Sequence, residues 1–208
     1  MFEIESSPLI KPHFRFDYGE ENEERDYQSQ HIFIQNHSEK PAKSFYVSLD
    51  LNNTLVLLSE IPKGKQFKEI LVDGKRYYLS LRPYLEKFLI QLSAFAHIYL
   101  FTSQSKCFVD QVLKIIDPSA KFFDRVFYGD SCLTTPSGRI IKDISILQTP
   151  LGKTVHLDDN GETISQQSNT VRIRPFFGSS SDKELLSAIE FLRILQFQED
   201  VRKLICNN

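Results

Sequence analysis

Three short apolar runs, Phe45–Leu49, His97–Phe101 and Lys153–Leu157, each stop abruptly at small polar residues: Asp50-Leu-Asn-Asn-Thr54, Thr102-Ser103 and Asp158-Asp159-Asn160. Runs of about five residues rich in aromatic and β-branched side chains read as buried strands. Between the first two, Leu85, Phe88, Leu89 and Leu92 recur at helical spacing behind Pro83, a residue tolerated in a first helical turn. Between the last two, Phe108, Val112, Ile115 and Ile116 repeat that spacing up to Asp117-Pro118. Strands alternating with helices imply a mostly parallel α/β sheet covered on both faces. Such sheets hold their ligands outside the carboxyl ends of the strands, where these polar clusters fall.

The remaining elements are shorter. Ile70–Val72, Asp73-Gly74 and Lys75–Leu79 predict a β-hairpin, because Asp-Gly suits a type I′ turn. Val126–Tyr128 and Val171–Ile173 predict two further strands, and Ser181-Asp-Lys-Glu184 predicts a capping box opening a helix through Leu185, Leu186, Ile189 and Leu192. Residues 1–43 differ from all this, with nine acidic and five basic residues and few apolar ones. They predict a loosely attached acidic extension, in which Phe14, Phe16 and His31–Ile34 could dock as a short strand. The domain proper is expected over 44–208, with the hairpin insert at about 60–80.

A 208-residue chain with net charge −2 has room for one well-cored domain and lacks the basic footprint of a general nucleic-acid binder. Cys107, Cys132 and Cys206 lie far apart and make neither a disulfide framework nor a zinc motif. No apolar run reaches the length of a membrane span, and the start has neither a secretory nor a transit pattern. These features point to a nuclear or cytoplasmic protein without direct nucleic-acid or membrane binding; a monomer is expected.

If the first and fourth strands are neighbours, Asp50 and Asp158–Asn160 converge. Hard carboxylate oxygens suit Mg²⁺, and Lys142 could neutralise anionic oxygens opposite them. A carboxylate, a metal, a hydroxyl and a lysine together suit phosphoryl transfer. Taken singly, each is equally a loop carboxylate or a helix cap.

The run Asp50-Leu-Asn-Asn-Thr-Leu55 resembles motif I, DxDxT, of the haloacid dehalogenase superfamily, in the branch of small C-terminal-domain and NLI-interacting-factor-like phosphatases. Further landmarks of that branch follow in order: Asp73-Gly74, Arg82-Pro83, Phe101-Thr-Ser103, Asp130-Ser-Cys132, Ile141-Lys-Asp-Ile144, Leu157-Asp-Asp-Asn160 and Asp182-Lys-Glu-Leu-Leu186. The match spans about residues 45–205. It implies a Rossmann-like, mostly parallel sheet flanked by helices, a small β-hairpin insert and no large cap domain.

The resemblance also implies roles. Asp50 would be the nucleophile that becomes an aspartyl phosphate, and a Mg²⁺ ligand. Asp159 would hold the metal with the backbone carbonyl at Asn52, while Asp158 would orient Lys142. Thr102 and Lys142 would bind the phosphate, Ser103 would lie beside it, and Thr54 would support the motif I loop. The implied substrate is phosphoserine or phosphothreonine in a protein segment such as the RNA polymerase II C-terminal tail.

Asn52 departs from the pattern, because the family has there a second aspartate that protonates the leaving group and later activates water. General acid or base help is worth about 10²- to 10⁴-fold, so weakened turnover or a trapped phosphoenzyme follows. Asn160-Gly161 replaces the family's Ser-Pro and is expected to loosen its loop. Cys132, His97 and His156 are read as packed or hydrogen-bonded residues, not as nucleophile or ligands. The alternative function is a pseudophosphatase that binds a protein partner, like the branch's mitochondrial presequence-translocase receptor subunit, which Arg172-Ile-Arg-Pro-Phe176 also resembles.

Overall fold

The computed structural model describes residues 43–63 and 66–206, so the expected acidic extension lies outside the described residues. Strand β1 (Tyr46–Leu49) leads into a three-stranded antiparallel sheet of β2 (Val56–Ser59), β3 (Lys68–Val72) and β4 (Lys75–Leu81). Helix α1 (Leu85–Ser93), strand β5 (His97–Phe101), helix α2 (Lys106–Ile116) and strand β6 (Arg125–Phe127) follow. A two-stranded ladder, β7 (Leu133–Thr134) with β8 (Ile140–Ile141), precedes β9 (Thr154–Asp158) and β10 (Thr170–Arg172). Helices α3 (Glu184–Leu195) and α4 (Arg202–Ile205) close the domain.

The main sheet is wholly parallel in the order β10-β9-β1-β5-β6. Strand alternation divides its side chains between two clusters. Val47, Leu49, Ile98, Leu100, Val155 and Leu157 share one core with the buried faces of α1, α2 and α3. Tyr99, Phe101 and Phe127 point the other way, onto Ile144, Leu147 and Ile164, so that face is covered by short 3₁₀ turns and loops.

The insert is larger than the expected hairpin. Asp73 (φ 51°) and Gly74 (φ 76°) form the tight turn between β3 and β4. The third strand, β2, pairs antiparallel with β4. It begins one residue after motif I, where an apolar run of four gave no separate signal.

Two helix starts also differ from expectation. Pro83 precedes α1, separated from it by Tyr84 in the left-handed region (φ 66°). The capping box does not form: α3 starts at Glu184, whose N–H donates to Asp182 Oδ1, and Asp182 faces Arg82.

Candidate active site

The register of the parallel strands builds the site. Leu49 pairs with Leu157 on one side and Leu100 on the other. One residue further along, Asp50 comes level with Asp158 and stands beside the turn that starts at Thr102. After β1 the chain moves towards β5, and after β9 it moves towards β10, so the sheet's switch point opens between the two acidic strand ends. A cleft of about 200 Å³ lies there, lined by Asp50, Asn52, Thr102, Ser103, Lys142 and Asp159 among others.

Lys142 is the centre of the arrangement. Its backbone is held by hydrogen bonds to Thr163 and from Ser165, and its Nζ donates to Asp50 Oδ1 at 2.5 Å and to Asp158 Oδ2 at 2.7 Å. All three side chains are buried. Burial works against the ammonium, but the two carboxylates hold Lys142 above its ordinary pKa. An ammonium has three N–H donors, so one remains for a ligand.

Both carboxylate oxygens of Asp158 carry hydrogen bonds. Its Oδ2 also accepts from His156 Nε2 at 3.0 Å, and its Oδ1 accepts the Asn160 N–H at 2.7 Å. Despite burial, the His156 hydrogen bond and the Lys142 charge hold its carboxyl well below the usual range. Asp50 is shifted the other way, because burial and then the neighbouring Asp158 outweigh the pull of Lys142. His156 is fully buried and packs as expected, with Nδ1 against Ser48 Oγ at 3.0 Å. Burial lowers its pKa.

Asp50, Asp158 and Asp159 present carboxylate oxygens within 4.8 Å of one another. Both oxygens of Asp158 accept hydrogen bonds, whereas among the described residues Asp50 Oδ2 and Asp159 Oδ2 accept none. The main-chain oxygen of Asn52 accepts no hydrogen bond among the described residues. These hard oxygens fit a small divalent cation. Thr54 is buried and ties Asp159 down twice, its hydroxyl donating to Oδ1 at 3.2 Å and accepting the Asp159 N–H at 3.1 Å.

The Asn52 side chain is oriented by the backbone: its Oδ1 accepts the Leu58 N–H at 3.1 Å, leaving the amide nitrogen as its available polar group. Thr102 is buried, and its Oγ1 accepts the Gln104 N–H at 3.2 Å. Gly129 explains how that turn is supported. A Cβ there would lie 2.5 Å from the Ser103 carbonyl oxygen, and its N–H donates to Gln104 at 2.8 Å. In the Asn160-Gly161 loop, Asn160 Oδ1 accepts the Glu162 N–H, and Gly161 is buried against Arg172. Cys132 is partly buried, which raises its thiol pKa, in keeping with an inert residue.

Sequence reasoning quoted Arg82 as a landmark without a role. It is the largest of the fully buried side chains. Its guanidinium makes a bidentate pair with Asp182 at 2.9 and 3.0 Å and donates to the carbonyls of Asn53, Thr54 and Arg174. It therefore joins the motif I loop to the segment before α3. The signal available was only an arginine before a proline at a strand end.

Residues 45–202 match the family of NLI interacting factor-like phosphatases, and the chain belongs to it. It is 32% identical over 159 residues to CTD small phosphatase-like protein 2 of Dictyostelium discoideum, covering 74% of this chain and 28% of that protein. It is 28% identical over 166 residues to nuclear envelope morphology protein 1 of Schizosaccharomyces pombe, covering 76% and 34% respectively. The chain thus spans about a third or less of either relative. A variant of the fission yeast RNA polymerase II CTD phosphatase Fcp1 bound to beryllium fluoride shares the fold, with a TM-score of 0.54 at 20% identity over 78% of this chain and 53% of that one. Among the described residues no helix is long and apolar enough to cross a membrane.

Proposed function

We propose that this chain is a Mg²⁺-dependent phosphoprotein phosphatase that acts on phosphoserine or phosphothreonine through an aspartyl phosphate on Asp50, and that Asn52 slows it. The observation that carries this reading is Lys142, fixed between Asp50 and Asp158 with one donor spare. Asp50 Oδ2 attacks phosphorus, and the spare Lys142 N–H and the Thr102 hydroxyl bind the phosphoryl oxygens. Ser103 lines the same cleft and would contact the phosphate there. Asp158 keeps Lys142 charged and aimed, and Thr54 fixes Asp159. Mg²⁺ would be held by Asp50, Asp159 and the main-chain oxygen of Asn52, and would neutralise charge on the transferred group.

With an insert of three strands in place of a large cap, the cleft suits an extended phosphorylated protein segment, for which the RNA polymerase II C-terminal tail is the reference substrate class. We assign the chain to the nucleus or cytoplasm as a monomer. A second reading is a pseudophosphatase that binds a protein partner. It is favoured by Asn52 and by 33% identity over 127 residues to the mitochondrial import inner membrane translocase subunit TIM50 of Yarrowia lipolytica, covering 60% of this chain and 27% of that protein.

Beryllofluoride, a mimic of the phosphoryl group on a carboxylate, tests the site directly. The melting temperature should rise when beryllofluoride and Mg²⁺ are present together, and the rise should vanish in Asp50→Ala. No shift with the pair would remove the phosphatase reading.

A further inference from the structure

Two polar residues sit in the middle of the parallel sheet, where packing alone would favour apolar ones. Ser48 of β1 and His156 of β9 are register partners on neighbouring strands, and both are fully buried. They lie on the face of the sheet that carries Tyr99, Phe101 and Phe127, and the His156 ring is 6.2 Å from that of Phe101. A buried imidazole in such company costs free energy unless its nitrogens are hydrogen-bonded. Both are: Nδ1 pairs with Ser48 Oγ and Nε2 with Asp158 Oδ2, each at 3.0 Å. The two residues thus form a line that ends on Asp158.

A carboxylate offers only acceptors, so Nε2 donates to Asp158. The same Oδ2 accepts from Lys142 Nζ at 2.7 Å, while Oδ1 accepts the Asn160 N–H at 2.7 Å. The torsion that sets the plane of an aspartate carboxylate is soft, so the backbone hydrogen bond on Oδ1 does not by itself fix where Oδ2 lies. His156 supplies the second point. Once the acceptors on Asp50 and Asp158 are both fixed, the tetrahedral shape of the Lys142 ammonium sets the direction of its third N–H.

We infer that His156, held by Ser48, is a positioning residue for phosphoryl binding: it fixes the plane of the Asp158 carboxylate and through it aims the spare Lys142 N–H. This rests on the phosphatase reading above and adds to it a residue from inside the sheet. His156 is not among the residues lining the cleft, so its influence on a bound phosphoryl group passes through Asp158 and Lys142. What matters is the N–H at the Nε2 position, and no change of charge is involved.

The test titrates the full chain with beryllofluoride in the presence of Mg²⁺ and compares dissociation constants for three substitutions. His156→Leu keeps apolar bulk and has no donor. His156→Gln carries an amide N–H₂ about as far from the backbone as Nε2, whereas the amide of His156→Asn stops near the position of Nδ1 and falls short of Asp158. His156→Leu should bind beryllofluoride at least about 10-fold more weakly than the wild-type chain, the lower end of what losing the partner behind a site residue costs. His156→Gln should recover most of that affinity, and His156→Asn should not. A residue that only fills space predicts another order, with leucine tolerated and the two amides alike. Should His156→Leu fail to fold, the ratio between the two amide variants decides. Wild-type affinity in His156→Leu, or equal affinities in His156→Gln and His156→Asn, would overturn the inference and leave the phosphatase reading standing. No binding by the wild-type chain would overturn both.

Discussion

Two buried cations flank the motif I loop, and they use their hydrogen bonds differently. Arg82 has five N–H donors, and all five are spent, on Asp182 and on the carbonyls of Asn53, Thr54 and Arg174. Lys142 has three, two of which go to Asp50 and Asp158. The planar fork of a guanidinium suits a saturated joint between loops, whereas an ammonium can keep a donor in reserve for an incoming anion. Burial and charge alone do not distinguish these positions; spare donor capacity facing a cleft does.

The largest effect should come from breaking the saturated joint. Arg82→Ala leaves Asp182 and the loop carbonyls without partners and should cost about 3–5 kcal/mol in urea denaturation, the range for removing one partner of a buried pair. Arg82→Lys should recover little of it, because one ammonium cannot serve that fork. A loss no greater than that of a surface exchange would mean that Arg82 is not the joint described.

Lys142→Met should cost less, about 1–3 kcal/mol at neutral pH, because Asp50 can accept a proton when its cation is gone. Burial already pushes the Asp50 carboxyl upward. In the variant its folded-state pKa should rise further above the unfolded value, so the folded state binds the proton more tightly and stability should increase as pH falls towards that unfolded value. Denaturation at pH 7 and pH 5 checks the sign. The reverse slope would contradict the view that Lys142 chiefly neutralises the two aspartates.

The smallest effect concerns the histidine beneath Asp158. Burial depresses the folded-state pKa of His156 below 6.5, so its neutral form contributes fully above that value and the contribution is lost as pH falls below it. Relative to His156→Gln, the wild-type chain should lose up to about 1.4 kcal/mol per pH unit on acidification below pH 6.5. Parallel pH profiles for the two proteins would show that His156 takes up a proton in place.

The parallel strands and the residues at their ends were legible from local pattern. Phe45–Leu49, His97–Phe101 and Lys153–Leu157 stop at chemistry-bearing residues, and strand register brings those ends together. Strand β2 was not legible, because Val56–Ser59 is a strand only through its pairing with β4. Arg82 was visible as a residue but not as a joint, since its acceptors lie 28 to 100 residues away. The same interaction explains the capping box that failed, because Asp182 is drawn to Arg82. Asn52 stood out in the sequence as the departure from motif I, but its orientation depends on the backbone of Leu58 in an unforeseen strand.

The central claim is that an otherwise assembled phosphatase site lacks its proton donor at one position. The direct measurement is Mg²⁺-dependent hydrolysis of a phosphoserine peptide by this chain and by Asn52→Asp, side by side. The account predicts a gain of about 10²-fold or more for Asn52→Asp. Equal inactivity of the two proteins would contradict it and give the protein-binding reading the lead.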